Sequence, residues 1–452
     1  MPLRITVLGT GYLGATHAMC MAELGFEVVG LDTNEAQVKA LAGGWLPFHE
    51  PGLAELLRSG LRSGRLRFTT SYAEAADFGD VHFLCVGTPQ RAGSSAADLS
   101  HLFACVDALA PRLTRPCLVV GKSTVPAGTA EALAERLSQL APVGAAAELA
   151  WNPEFLREGH AVDDTMRPDR IVAGVTSPAA ERILREVYAE PLADGVPFLV
   201  TDMATAQLVK VAANAFLATK ISFINAMAEV CEAAGADVVP LAQALALDAR
   251  IGGRFLVPGL GFGGGCLPKD IRAFGTTARE LGVGSVSALL SEVDAINLRR
   301  RARMVDLALE LAGGSLEGRA VSVLGCSFKP NSDDIRDSPA LDVAGTVHGL
   351  GARVTVYDPA AMDRARLVHP ELEYASSMLD AAAGADLLLL LTEWREFVDA
   401  DPEVLGKVVA QRNIADGRTA LDAGRWRAAG WRYRAPGRPA TSVSADTISL
   451  PR

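Results

Sequence analysis

The chain is short of lysine, short of cysteine and without surplus positive charge, and each shortage removes a class of function. Seven cysteines are scattered over 452 residues, odd in number and with no C-x-x-C pair. That spacing excludes a disulfide framework and speaks against a zinc site, so no metal is expected. A formal net charge of −10 argues against nucleic acid as the main partner. Any anionic ligand must then be met by local positive charge. Only seven of the 43 basic residues are lysines, which makes the positions of Lys122, Lys210, Lys269 and Lys329 informative. Apolar runs are also short: "LLLLL" at 387–391 falls far below a membrane span, and no membrane is expected. The first strand-like run, "LRITVLG", starts at residue 3 and leaves no room for a signal peptide, so the expected location is cytoplasmic.

An apolar fraction of 49% with 21% charged residues is that of a globular protein with ample core, and the length suggests about three domains. "RITVLGTGYLGATHAMCMAELGFEVVGLD" (4–32) reads as strand, glycine turn, helix and strand. Gly9, Gly11 and Gly14 give G-x-G-x-x-G, with Tyr12 and Leu13 between them, and Asp32 closes the second strand. Glycines there allow a tight turn and close approach of a pyrophosphate to the helix N-terminus, while the acid binds a ribose diol. Asp32 favours NAD over NADP, because a 2′-phosphate would meet a like charge. "DVHFLCVGTP" (80–89) and "PCLVVGKSTVP" (116–126) continue the pattern of apolar strand and polar loop. Ligands lie beyond the carboxyl ends of such strands, so Thr88, Pro89, Ser123 and Thr124 are expected to face cofactor or substrate.

The texture changes near 203. Residues 203–235 contain no glycine or proline before Gly235 and read as one long helix. Lys210 and Asn214 are four apart on it and share a face that must open onto something polar. A second helix is expected over roughly 285–312. From 319 the strand and helix alternation returns as a second doubly wound sheet without a dinucleotide fingerprint. The tail after Pro436 has no periodicity and is expected to be a flexible terminus. Between the two α/β regions stands "GFGGGCLPKD" (261–270). Its glycines suggest a loose loop entering a helix, with Cys266 at the helix start and Asp270 one turn on. Cys266 is then either an incidental thiol in a glycine-rich turn or a candidate nucleophile held at a helix N-terminus.

"GTGYLG", "GKSTVP", "NPEFLREG" (152–159), "NAFLATKISFIN" (214–225), "GFGGGCLPKD" and "FKPNSDDIRDSPA" (328–340) occur in that order. With them the chain resembles the UDP-glucose/GDP-mannose dehydrogenase family over about residues 3–430, and its UDP-glucose branch most. The resemblance implies an α/β fold of two doubly wound Rossmann-like domains joined by a central helical dimerisation region. The expected division is an NAD-binding domain at 1–200, a helical domain at 201–312, a nucleotide-sugar domain at 313–436 and the tail at 437–452. It also implies a four-electron, NAD-dependent oxidation of UDP-glucose at C6 to UDP-glucuronate, through a thiohemiacetal and a thioester on Cys266. In that reading Lys210 and Asn214 stabilise negative charge on the sugar oxygen, and Asp270 works with Thr124 on a water. Glu154 lies near the hydrolytic water and Glu158 near the nicotinamide. Phe155, Leu156 and Arg157 would line the substrate with them. Phe255, Leu256, Val257, Pro258, Gly259 and Gly263 would form the sugar-nucleotide loop. Lys329 and Arg418 would reach the nucleotide, and Lys269 and Arg336 the cofactor. Arg250 would reach the substrate of a second subunit, making a homodimer.

Two positions depart from the family's pattern. Gln37 stands where Lys or Arg usually lies near the adenosine ribose, and Gly265 where a side chain is commoner. Three other readings stay open on sequence alone. They are the same reaction on dTDP-glucose or another nucleotide sugar, a two-electron hydroxyacid dehydrogenase, and a non-catalytic NAD-binding protein.

Overall fold

A computed structural model describes residues 3–439. The tail expected to be flexible lies outside the described residues from 440 onward. Among the described residues fourteen strands form two sheets. The first holds β1 (Arg4–Leu8), β2 (Glu27–Leu31), β3 (Leu66–Thr69), β4 (Val81–Leu84), β5 (Cys117–Gly121), β6 (Ala147–Trp151), β7 (Ile171–Gly174) and β8 (Phe198–Thr201). Its order is β3-β2-β1-β4-β5-β6-β7-β8, parallel throughout except where Trp151 meets Gly174 antiparallel between β6 and β7. The second holds β9 (Ala320–Leu324), β10 (Arg353–Tyr357), β11 (Glu373–Tyr374), β12 (Leu387–Leu390), β13 (Asn413–Asp416) and β14 (Arg432–Arg434) in the order β11-β10-β9-β12-β13-β14. Both sheets therefore reverse direction beside their first strand, between β1 and β4 and between β9 and β12. That switch is where an open α/β sheet leaves a crevice for ligand.

Central strands are continuous apolar runs because helices cover both faces. β5, β12 and β13 are buried at every position, and "LLLLL" is the middle of the second sheet. A few buried polar residues interrupt these runs, among them Thr6, Ser322 and Asp416; His82 in β4 is satisfied sideways, its ring bonding the Thr6 hydroxyl on β1 at 2.6 Å. Burial pulls that imidazole down to about 3, so it is a neutral core residue.

The two sheets begin alike. Gly9 and Gly325 both have left-handed φ, +88° and +94°, and both donate to the end of the next strand, Leu31 and Tyr357, at 2.8 Å. Asp32 and Asp358 both accept the following amide, from Thr10 and Cys326 respectively, at 2.8 Å. Their surroundings then diverge. Asp358 is buried and also takes the Ser327 hydroxyl, the Trp394 indole N–H and the amides of Ala360 and Ala361. Asp32 stays half-buried, with capacity left for a ligand. Only the first sheet keeps an acid available for a ribose.

The chain divides into two compact units. One runs to Ala213 and includes Thr276–Leu281; the other holds Asn214–Gly275 and everything from Gly282 onward. The helix expected over 203–235 is Met203–Ala234, and that expected near 285–312 is Gly284–Ala312. By length and composition alone Met203–Ala234 could cross a membrane. It is instead studded with polar groups: buried Gln207, Lys210, Asn214, Ser222 and Asn225 interrupt it.

Candidate active site

In the first unit, the turn after β1 is shaped for close approach. A Cβ on Gly14 would lie 1.8 Å from the Gly9 carbonyl oxygen, so no side chain is tolerated there. At Gly11, which precedes the helix Tyr12–Glu23, a Cβ would meet nothing within 4 Å. The turn is thus tight within and open without, a cradle for a diphosphate at a helix start. Gln37 donates its side-chain amide to the Thr10 carbonyl and so braces this turn. Its place in the fold is structural support as well as proximity to Asp32.

The loops after β4 and β5 hold each other. Thr88 Oγ1 donates to the Thr124 carbonyl at 2.8 Å, and Ser123 Oγ to the Val86 carbonyl at 2.7 Å. Pro89 is exposed and Thr124 half-buried. The segment 152–159 follows β6 and is anchored at both ends. Glu154 Oε1 accepts the amides of Phe155 and Leu156 at 2.8 and 3.0 Å, and its Oε2 lies 3.1 Å from Lys122 Nζ. The Phe155 ring sits under the guanidinium of Arg170, 4.0 Å from its centroid, with the Lys210 ammonium at 5.6 Å. Arg157 pairs with Asp164, and Glu158 is buried. Glu50 was not singled out by its sequence, yet its buried carboxylate takes the amides of Gly159 and Ala161 at 2.6 and 2.7 Å and the hydroxyl of Tyr12. It ties the start of the glycine-turn helix to the Glu158 loop. Burial and Glu50 hold the Tyr12 phenol above the ordinary tyrosine range.

In the second unit, Cys266 is exposed and precedes the helix Leu267–Glu280; the Asp270 amide donates to its carbonyl at 2.9 Å. The Asp270 carboxylate is buried and held from two sides, by Asn214 Nδ2 and by Lys269 Nζ, each at 2.7 Å. All six other cysteines are buried. Burial pushes the thiols of Cys85 and Cys105 up to about 12 and that of Cys117 to about 11, and raises Cys20, Cys231 and Cys326 as well. Position thus separates Cys266 from six inert thiols.

The expectation of a loose glycine loop is corrected. Gly261 to Gly264 are buried and tightly fitted. A Cβ would lie 2.3 Å from Asn297 Oδ1 at Gly261, 2.3 Å from the Asp337 carbonyl at Gly263, and 2.7 Å from the Phe328 ring at Gly264. The glycines serve close packing, not mobility. Two buried asparagines complete the clamp. Asn297 accepts the Phe262 amide at 2.8 Å and donates to its carbonyl at 2.9 Å, while Asn225 accepts the Gly259 amide at 2.9 Å. Neither asparagine announced itself; Asn225 is merely the last letter of "NAFLATKISFIN". Its signal was its place three turns after Asn214, on the same face of the long helix.

Among the described residues, every non-glycine with left-handed φ lies in this unit's loops: Phe255 at +61°, Asn331 at +62°, Asp337 at +47° and Thr419 at +52°. Such strain persists only where surroundings impose it, and it collects at ligand clamps. Leu256 and Pro258 are buried beside Phe255, with Val257 half-buried. Arg418 donates to the carbonyls of Leu391, Gly261 and Phe328 at 2.6, 2.9 and 3.0 Å, joining three of these loops. Lys329 lies half-buried with its ammonium 5.4 Å from the centroid of the Phe328 ring. Arg336 reaches Asp334 and covers Gly265. Arg250 is 89% exposed and pairs with Asp248.

Comparison with known proteins places these features in context. Models of the UDP-glucose/GDP-mannose dehydrogenase family match in sequence order: the NAD binding domain at residues 3–192, the central domain at 204–299 and the UDP binding domain at 322–423. UDP-glucose 6-dehydrogenase of Rhizobium meliloti (strain 1021) is 41% identical, covering 97% of this chain and 100% of that protein. UDP-glucose 6-dehydrogenase TuaD of Bacillus subtilis (strain 168) is 40% identical over 97% of this chain and 94% of its own. Among solved structures, a UDP-glucose dehydrogenase from Pyrobaculum islandicum shares 37% identity at a TM-score of 0.88, covering 97% of this chain and 98% of that one.

Proposed function

The chain belongs to the UDP-glucose/GDP-mannose dehydrogenase family, and from that premise we propose that it oxidises UDP-glucose to UDP-glucuronate through a covalent thioester on Cys266. It is an NAD-dependent nucleotide-sugar dehydrogenase. The observation that carries the covalent step is Cys266, exposed at a helix start while every other thiol is buried.

The open glycine turn and half-buried Asp32 suit NAD, which when bound accepts hydride, twice per sugar. Lys210 and Asn214 supply positive charge and an amide to the sugar oxygen as it gains negative charge. The Cys266 thiolate adds to the C6 aldehyde, forming the C–S bond as the carbonyl pair moves to oxygen. Loss of the second hydride from C6 restores the carbonyl as a thioester. Water then adds, the C–S bond breaks, and the thiolate returns to Cys266 as the carboxylate leaves. Asp270 and Thr124 direct that water, with Glu154 beside it and Glu158 near the nicotinamide. Per sugar, one alcohol, two NAD⁺ and one water give one carboxylate, two NADH and three protons. Holding the aldehyde on sulfur prevents its escape.

Substrate binding falls to the strained loop at 255–259, Gly263, Lys329 and Arg418, with 155–157 on the sugar side. Lys269 and Arg336 serve the cofactor together with Gly9, Thr88, Pro89 and Ser123. The functional division is 1–200 for NAD, 201–312 for the helical region and 313–436 for the nucleotide sugar. A homodimer completes the site through Arg250, whose guanidinium is exposed in its own subunit. Exposed Phe216, Phe223 and Val230 recur at seven-residue spacing along the long helix, an apolar stripe suited to symmetric pairing. Unbridged thiols suit a reducing compartment, the cytoplasm.

Kinetics with UDP-glucose, dTDP-glucose and GDP-mannose test the reading. UDP-glucose should give the highest kcat/KM, with two NADH per acid. One NADH per product would point to a two-electron dehydrogenase, and preference for dTDP-glucose would reassign the substrate.

A further inference from the structure

Lys122 is the one charged group of the "GKSTVP" loop, and the reaction outlined above gives it no task. It is 4% exposed. Burying an ammonium is costly unless it is paired and hydrogen-bonded. Here it is both: 3.1 Å from Glu154 Oε2, 3.0 Å from Asn152 Oδ1 and 3.3 Å from the Tyr188 hydroxyl. Tyr188 also donates to Asn152 Oδ1 at 2.5 Å, and Asn152 Nδ2 donates to the Val172 carbonyl at 2.8 Å. The ammonium is thus held by elements that follow β5, β6 and the helix Pro178–Val187.

Among the titratable groups around this pair, His17, Cys20, Cys85 and Tyr188 are shifted toward their neutral forms, while the carboxylates of Glu23 and Glu50 lie within electrostatic reach of Cys20. Burial, then Lys122, holds His17 well below the ordinary histidine range. Burial raises Cys20 and Tyr188 and pushes Cys85 up to about 12. Burial pulls the Lys122 ammonium down, but Glu154 and Tyr188 outweigh it and leave it raised. The side chain that the ammonium faces as its ion-pair partner is Glu154. Glu154 has its other oxygen fixed by the amides of Phe155 and Leu156, so its rotamer is set from both sides.

We propose that Lys122 is a positioning residue for the hydrolytic half-reaction: it holds Glu154 in a single orientation, so that the carboxylate presents a fixed acceptor to the attacking water. This rests on the assignment of Glu154 to the hydrolytic water made above. A carboxylate that loses its paired cation takes up a proton more readily. Without Lys122, Glu154 should therefore be neutral over more of the acidic range. Thioester hydrolysis should suffer while both oxidations proceed.

The test is the pH profile and the pre-steady-state burst of Lys122→Met, Lys122→Arg, Glu154→Gln and the double variant. Lys122→Met should retain a burst of two NADH per site, lose at least about tenfold in steady-state kcat, and accumulate acyl-enzyme seen by intact mass. Its acidic limb should move up by about one pH unit or more, whereas Lys122→Arg should keep the limb near that of the unmodified enzyme. A folded Lys122→Met with an unmoved acidic limb overturns the proposal. Should that variant not fold, the uncharged pair Lys122→Met/Glu154→Gln provides the second arm. Added to Glu154→Gln, the lysine change should cost no further kcat, because it acts through the carboxylate. A further tenfold loss would mark Lys122 as acting elsewhere and overturn the proposal. If Glu154→Gln alone leaves hydrolysis intact, the assignment of Glu154 fails, and a shifted limb in Lys122→Met would then belong to a different group.

Discussion

A Cβ at position 265 would land 2.2 Å from the Arg336 guanidinium carbon and within 2.5 Å of both terminal nitrogens. Gly265, where a side chain is commoner in the family, thus makes room for an arginine beside Cys266. The displaced group is the far end of a flexible side chain, 63% exposed, so Gly265→Ser should leave the melting temperature almost unchanged. If Arg336 serves the cofactor, the same change should raise KM for NAD severalfold, which initial-rate kinetics would detect. At the other departure, Gln37 already donates to the glycine turn, and arginine there could keep that bond while adding charge. The unmodified enzyme should prefer NAD over NADP by at least about tenfold, or 1.4 kcal/mol, through Asp32. Gln37→Arg should narrow that ratio. Equal efficiency with both cofactors before mutation would contradict the role of Asp32.

Elements were more legible than the bonds between them. Continuous apolar runs gave away β5 and β12, and an uninterrupted stretch free of glycine and proline gave away Met203–Ala234. The clamps were hidden, because Asn225, Asn297 and Glu50 find their partners 34, 35 and more than 100 residues away. A lone polar residue in a sequence carries no mark of such a partner. The glycine run misled for a related reason: glycine serves both mobility and close packing, and only the neighbours Asn297, Phe328 and Asp337 decide between them. Asn297→Ala would strand a buried amide and carbonyl of Phe262, costing about 2–4 kcal/mol in chemical denaturation and lowering kcat with it. The opposite end of the first sheet should behave differently. Asp80 joins Arg4 and Arg115 at the amino ends of the strands, away from the ligand crevice. Burial raises its carboxyl, but the two arginines outweigh burial and bring it down to about 2. Its contribution is therefore present above the ordinary aspartate pKa and is lost as pH falls from about 4 through about 2. Asp80→Asn should cost about 1 kcal/mol at pH 7 after allowance for solvent screening, with kcat unchanged. That stability gap should close in acid.

For the whole molecule, the six motifs made the family visible in the sequence, while the proposed homodimer is supported by one exposed arginine and an apolar stripe. Mixing an Arg250→Ala chain with a Cys266→Ser chain should restore activity, because a mixed dimer regains one site with an intact cysteine and an arginine from its neighbour. No recovery in mixed dimers shown to form would confine Arg250 to its own chain. Everything else in the account turns on the thiol that heads Leu267–Glu280. Intact-protein mass spectrometry of Cys266→Ser under turnover with UDP-glucose and NAD tests it most directly. A hydroxyl is the poorer nucleophile and alkoxide the poorer leaving group, so the variant should bind substrate, fail to sustain acid production, and stall at the aldehyde or as a trapped ester. A serine variant that still yields two NADH per acid near the unmodified rate, with no adduct, would contradict the covalent mechanism.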